Sequence, residues 1–214
     1  MAPKTKVVVE NDSTAAAMYE ARVRLRSSID GTESNFVLVR SGTGIGVGIV
    51  IGGEVFRGSG AGRGLAGEFG HMTIVAGGTP CVCGNRGCWE KYASAGAAGQ
   101  IYVGKKGKEA PPRFVEIVER AKAGDKRSIN ALKFIGEHLG IGIANVIMGI
   151  GVPRVIISGR LVHGWQFIEK PLNLAIERSF IGKISGWSVE SGEPVGSAIG
   201  GALEVAIEEL FSSL

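Results

Sequence analysis

Residues 81–90 read Cys81-Val-Cys83-Gly-Asn-Arg-Gly-Cys88-Trp-Glu90, and ten residues upstream of Cys81 the segment Gly67-Glu-Phe-Gly-His71 ends on a histidine. All three cysteines of the chain lie in that window. Three soft thiolates and one imidazole suit a tetrahedral structural zinc, and four protein ligands leave no open position for an activated water. His71, Cys81, Cys83 and Cys88 are therefore the candidate metal ligands. Ordinary buried cysteines are the plainer alternative, although cysteines kept for packing have no reason to crowd between glycines and a turn proline. A disulfide fits less well, because Cys81 and Cys83 are too close in sequence to pair easily and three is an odd number.

Around this window the composition is that of a folded domain, 44% hydrophobic and 21% charged over 214 residues,. That length allows one large domain or two small ones, and a single domain over 1–214 is the expectation. The chain has 35 glycines, and their clusters at 42–53, 58–70 and 136–151 fall where strands meet turns and helices, not in a flexible tract,. A net charge of +4 permits an acidic partner without demanding one. Arg22, Arg24 and Arg26, or Lys105, Lys106 and Lys108, could mark a nucleic-acid patch; solvated faces or loops explain each group more simply. The longest near-apolar stretch, 139–152, contains four glycines and is too short to span a bilayer, so no membrane partner is expected,. No long apolar core near the first residues suggests a signal peptide, and unpaired thiols kept for a metal point to the cytoplasm.

Residues 6–9, Lys-Val-Val-Val ahead of Glu10, read as a buried strand, followed by an alanine-rich helix to about Ser27 with Asp12 or Ser13 as its N-cap,. Residues 35–40, 46–51 and 54–57 read as a three-stranded meander. Helical periodicity is expected over 112–123 and 126–148, then a strand over 154–157 and helices over 167–179 and 197–211. Strands followed by helices alternating with single strands predict an α/β domain with a mixed sheet.

These segments together resemble the ROK family, bacterial sugar kinases and sugar-responsive transcriptional repressors with an actin-like or ribonuclease H-like fold. The resemblance is carried by Glu10-Asn11-Asp12-Ser-Thr-Ala-Ala-Ala, by Gly42-Thr-Gly-Ile-Gly46, and above all by Ala66-Gly-Glu-Phe-Gly-His71 with the cysteine window through Glu90. Val155-Ile-Ile-Ser-Gly159, Gly192-x-x-x-Gly196 and Gly201-Ala202 extend it over nearly the whole chain. It implies a mixed sheet flanked by helices with a zinc-stabilised loop. It also implies a sugar site made of Asn11, Asp12, Glu68, His71 and Glu90, whose short acidic and amide groups suit a ring of hydroxyls. His71 would hold the metal through one ring nitrogen and aim the other at the sugar. Without the resemblance, Glu68 and Glu90 read equally as surface acids and Asn11 as a helix cap.

The family's kinases use an aspartate at the place of Asp12 as the base that takes the sugar hydroxyl proton during attack on ATP. Gly42, Thr43 and Gly44 would belong to their second phosphate loop, although a tight strand connection explains that turn nearly as well. Those kinases also carry an amino-terminal lobe with an Asp-x-Gly-x-Thr loop, and the only aspartates besides Asp12 are Asp30, in an Asp-Gly-Thr turn, and Asp125, at a helix start. The nucleotide-side strand, commonly ending Gly-Gly in kinases, ends Ser158-Gly159. The expectation is a carboxy-terminal lobe, excised or truncated.

Two readings follow. In the first the chain is the sugar-binding and dimerising lobe of a transcriptional regulator, which meets DNA only through an amino-terminal domain preceding residue 1. In the second it is the carboxy-terminal lobe of a sugar kinase using ATP and Mg2+, with Asp12 as base. Neither reading makes the chain alone an enzyme.

Overall fold

The computed structural model describes residues 7–27, 34–62, 64–104 and 107–212. Helix α1 (Asp12–Ser27) leads to strands β1 (Phe36–Ser41), β2 (Ile45–Ile51) and β3 (Glu54–Val55). Beyond the cysteine loop come α2 (Glu90–Ala93), α3 (Ala98–Val103), α4 (Phe114–Lys122) and α5 (Lys126–Ile150), then β4 (Arg154–Gly159), α6 (Trp165–Glu177), β5 (Ser188–Ser191) and α7 (Ser197–Ser212). The strands form one sheet in the order β3-β2-β1-β4-β5. The meander pairs antiparallel, with Val37 opposite Ile49 and Ser41 opposite Ile45. Strand β4 runs parallel to both β1 and β5. This is the mixed sheet that the order of elements predicts.

Successive side chains of a strand point to opposite faces. Phe36 and Leu38 join Ile156 and Val50 in a small core under α1, where Ala16, Ala17 and Ala21 let the helix lie close. Val37 and Val39 join Val155 and Ile157 in the larger core under α4, α5 and α6. With both faces covered, β1 and β4 read as nearly continuous apolar runs.

Helix α5 is the spine of that larger core. Among the described residues it alone is long and apolar enough to cross a membrane by length and composition, yet its Leu132, Ile135, Leu139 and Ile143 are buried in the core. Its glycines are not loosening elements. A β-carbon at Gly136 or Gly140 would run into α6, and one at Gly142 would collide with the indole of Trp89. Trp89 is fully buried, and its Nε1 donates to the His138 carbonyl at 2.9 Å.

Several boundaries differ from expectation for physical reasons. Residues 7–9 form no strand: Val7 and Val9 are exposed, and neither edge of the sheet, β3 or β5, pairs with them. β-branched runs need such a partner. The α1 cap is Asn11, whose Oδ1 accepts from the backbone of Ser13 at 2.9 Å and of Thr14 at 3.3 Å, and not Asp12 or Ser13. Helix α6 begins at Trp165 and ends at Glu177, and the third strand of the meander shrinks to Glu54–Val55. Strand β5 and the short α2 and α3 have no counterpart in the sequence pattern, because four to six residues carry too little periodicity,. Arg22 and Arg24 are ion-paired, Arg22 with Glu204 and Glu208, Arg24 with Glu20 and Glu190, so they form no free basic patch. Lys105, Lys106 and the Asp30 turn lie outside the described residues.

Overpacking a tight helix-to-indole contact costs about 1–3 kcal/mol. A Gly142→Ala variant is therefore expected to lose stability on that order in urea unfolding, and unchanged stability would contradict the Trp89 packing.

Candidate functional site

The cysteine loop is shaped by its own backbone. Cys81 N–H donates to the Asn85 carbonyl and Gly84 N–H to the Cys81 carbonyl, while Gly87 N–H reaches the Thr79 carbonyl. Trp89 N–H donates to the Met72 carbonyl at 2.8 Å, which draws the far end of the loop against the short helical turn Glu68–His71. Ligand atoms of His71, Cys81, Cys83 and Cys88 thereby all fall within 4.8 Å of one another. The Cys83 and Cys88 sulfurs are 3.6 Å apart, and His71 Nδ1 is 3.6 Å from the Cys81 sulfur. Tetrahedral zinc with Zn–S of about 2.3 Å wants ligand separations of about 3.8 Å, so the donor set and its spacing both fit a metal ion.

The thiols differ in environment. Burial pushes Cys88 up to about 12 and, with a smaller effect, raises Cys81 as well. Cys83 is exposed, and the Asn85 N–H that donates to its sulfur holds it below the ordinary thiol value.

Next to this cluster lies a cavity of about 570 Å3 at the carboxyl ends of β1 and β4. Asn11, Asp12, Glu68 and Glu90 line it, together with the turn Gly42–Gly46. His71 stands behind them, its Nε2 3.9 Å from Glu68 Oε2. One ring nitrogen thus looks to the Cys81 sulfur and the other to a carboxylate of the cavity wall. Glu90 is the joint between the two sites: its Oε1 accepts from the Cys81 thiol at 3.2 Å, and Oε2 lies so close over Gly44 that a β-carbon there would displace it. The turn is itself stapled to the segment after α2, since Ala95 N–H donates to Ser41 Oγ and Gly96 N–H to the Gly42 carbonyl. The structure therefore brings Gly42, Thr43 and Gly44 to the same cavity as the four acidic and amide residues.

Sequence reasoning missed Arg40, Arg160 and, from the segment 194–199, Pro194, Val195, Gly196, Ala198 and Ile199, all of which line the cavity. Arg40 ion-pairs with Asp12 Oδ2 at 2.5 Å, while Ser13 Oγ donates to Asp12 Oδ1 at 3.1 Å. No motif announces an arginine inside an apolar strand, although its register opposite Gly46 beside the glycine turn could have drawn attention. A second cavity of about 800 Å3, walled by Tyr92, Tyr102 and Phe134, shares Thr43 and Glu90 with the first.

A mixed sheet covered by helices on both faces, with its cavity at the ends of parallel strands, matches the actin-like fold of ROK sugar kinases. The chain belongs to the ROK family, whose model matches residues 2–200. A xylose repressor of Bacillus subtilis (strain 168) is 35% identical over 162 residues, which cover 76% of this chain and 40% of that protein. A glucokinase of Halalkalibacterium halodurans is 29% identical over 187 residues, 81% of this chain and 54% of that one. The crystal structure of a ROK family glucokinase from Streptomyces griseus in complex with glucose and AMPPNP matches with TM-score 0.79 and 26% identity, over 96% of this chain and 70% of that chain. The chain spans about half the length of the curated relatives it matches.

Thiols must shed protons to bind a metal. Because Cys81 and Cys88 hold theirs above the ordinary value, metal uptake is expected to release protons and to tighten as pH rises from 6 to 8. Calorimetry in buffers of different ionisation enthalpy measures the release. The sign for the metal-free fold is opposite: Cys88, raised from 9.0 to about 12, favours the folded state below pH 9 and loses that contribution as pH climbs towards 12,.

Proposed function

We propose that this chain is the effector-binding lobe of a ROK-type transcriptional regulator, with Zn2+ held by His71, Cys81, Cys83 and Cys88 and a sugar bound by Asn11, Asp12, Glu68 and Glu90. The zinc is structural: with four protein ligands it braces the loop that presents Glu90 and fixes the imidazole of His71. The second nitrogen of His71, directed toward Glu68, orients that carboxylate toward the sugar hydroxyls. Asn11 contributes its amide while its oxygen caps α1.

The observation that carries the regulator reading is the likeness to relatives: two Bacillus xylose repressors are 35% and 33% identical, against 29% for the Halalkalibacterium halodurans glucokinase. Asp12 serves either reading. Its oxygens accept from the Arg40 guanidinium and from Ser13, which hold the carboxylate in place, and each keeps a second acceptor position open to a sugar hydroxyl,. In such a regulator a sugar acts by binding one conformation better than another, and its effect is bounded by that difference in affinity. DNA is then met through an amino-terminal domain preceding residue 1, and the regulator works as a homodimer.

The kinase lobe is the second reading. The Gly42–Gly46 turn, Gly159 and residues 194–199 give the cavity room beyond a monosaccharide, and in that reading ATP and Mg2+ occupy it, with Asp12 as base.

Titration calorimetry with a panel of pentoses and hexoses tests the site. Glu90→Gln and Glu68→Gln are each expected to weaken the best sugar at least about tenfold by removing acceptors from a polar pocket, with zinc content unchanged. Equal affinity in both variants would sink the assignment. ADP release above background with any hexose, measured on the chain alone, would favour the kinase reading, and sequence-specific retardation of DNA by residues 1–214 would overturn the assignment of DNA contact to another domain.

A further inference from the structure

The three thiols of the metal cluster are not equally reachable. Cys83 is exposed, between Val82 and Gly84, which are exposed as well. Cys88 is fully buried, and its sulfur stands 3.6 Å from that of Cys83. Cys81 is buried too, with its sulfur turned toward His71 Nδ1 and Glu90 Oε1. We propose that Cys83 is a site of oxidation by hydrogen peroxide and that Cys88 resolves it, so that a Cys83–Cys88 disulfide forms and expels the metal. This rests on the metal assignment made above and not on the sugar assignment.

The chemistry closes without further reactants. The Cys83 sulfur attacks one peroxide oxygen; the S–O bond forms, the O–O bond breaks, and the first water leaves. The Cys88 sulfur then attacks the sulfenic sulfur; the S–S bond forms, the S–O bond breaks, and the hydroxyl departs as the second water. Metal-bound Cys83 and Cys88 are thiolates, so each departing hydroxide takes a proton from solvent to leave as water; the two sulfurs together lose two electrons and one peroxide is reduced. Cys81 is the weaker resolving partner, since a bridge between residues two apart in sequence is strained. Disulfide sulfurs are no longer thiolate ligands, so the metal keeps only His71 and Cys81, half of its tetrahedral set.

The full chain, loaded with zinc and treated with peroxide in small molar excess, provides the test. A chromogenic chelator reads zinc release, thiol titration counts free cysteines, and peptide mass mapping locates the bridge. The expected result is one zinc released per chain, two thiols lost with one remaining, a bridge mapped to Cys83 and Cys88, and recovery of metal binding after dithiothreitol and fresh zinc. A zinc-loaded chain that keeps its metal under peroxide, or whose bridge includes Cys81, overturns the proposal while leaving the metal site standing. A chain that takes up no zinc removes both. The wild-type chain suffices, so a cysteine variant that fails to fold cannot obscure the outcome.

Discussion

Trp89 holds the two halves of the site to the rest of the molecule. Its indole is sealed inside the larger core against α5, where the absence of a side chain at Gly142 makes room for the ring and the His138 carbonyl takes its N–H. Cys88 precedes it and Glu90 follows it. A buried aromatic of this size brings a large apolar burial and one satisfied polar contact, and here both neighbours in sequence carry chemistry. The loop of cysteines is otherwise made of turns and glycines, with no apolar side chain in the window except the exposed Val82. Its position relative to α5 is set by Trp89, its inner shape by backbone hydrogen bonds, and its remaining freedom is what a metal ion would remove.

How much could be read beforehand follows from the range over which each feature is decided. The metal candidates are within eighteen residues of one another, and thiols and imidazole crowded among glycines speak for themselves. The long α5 and the apolar runs of β1 and β4 were legible because periodicity accumulates over a helix or because both faces of a strand are covered. Asn11 was harder, since a capping amide and a ligand-binding amide look alike in sequence, and the structure has it capping α1. Residues 7–9 carry β-branched side chains yet find no edge to pair with, a fact that belongs to the assembled sheet. Arg40 lies 28 positions from Asp12, and only the pairing of β1 beneath the start of α1 brings the guanidinium to the carboxylate.

The Arg40–Asp12 pair also gives the cavity its electrostatic character. Glu68 and Glu90 stand on one side, unpaired with any arginine among the described residues, while Arg40 offsets Asp12 on the other and Arg160 adds a further cation to the lining. The charged side of the cavity is thus mixed in sign, which suits a neutral ligand rich in hydroxyls that both donate and accept, while Val195 and Ile199 make another part of the wall apolar,. The glycine turn beneath it is held by three bonds from the α2–α3 segment, from Ser94 Oγ to the Thr43 carbonyl, from Ala95 N–H to Ser41 Oγ and from Gly96 N–H to the Gly42 carbonyl.

The walls of this cavity come from opposite ends of the chain. Asn11 and Asp12 open the first helix, and residues 194–199 lead into the last, which lies along the first. Contacts of such long sequence separation carry a large loop-closure entropy. A ligand that touches both walls would offset part of that cost, so its binding would stabilise the packing of the last helix on the first as well as fill the cavity.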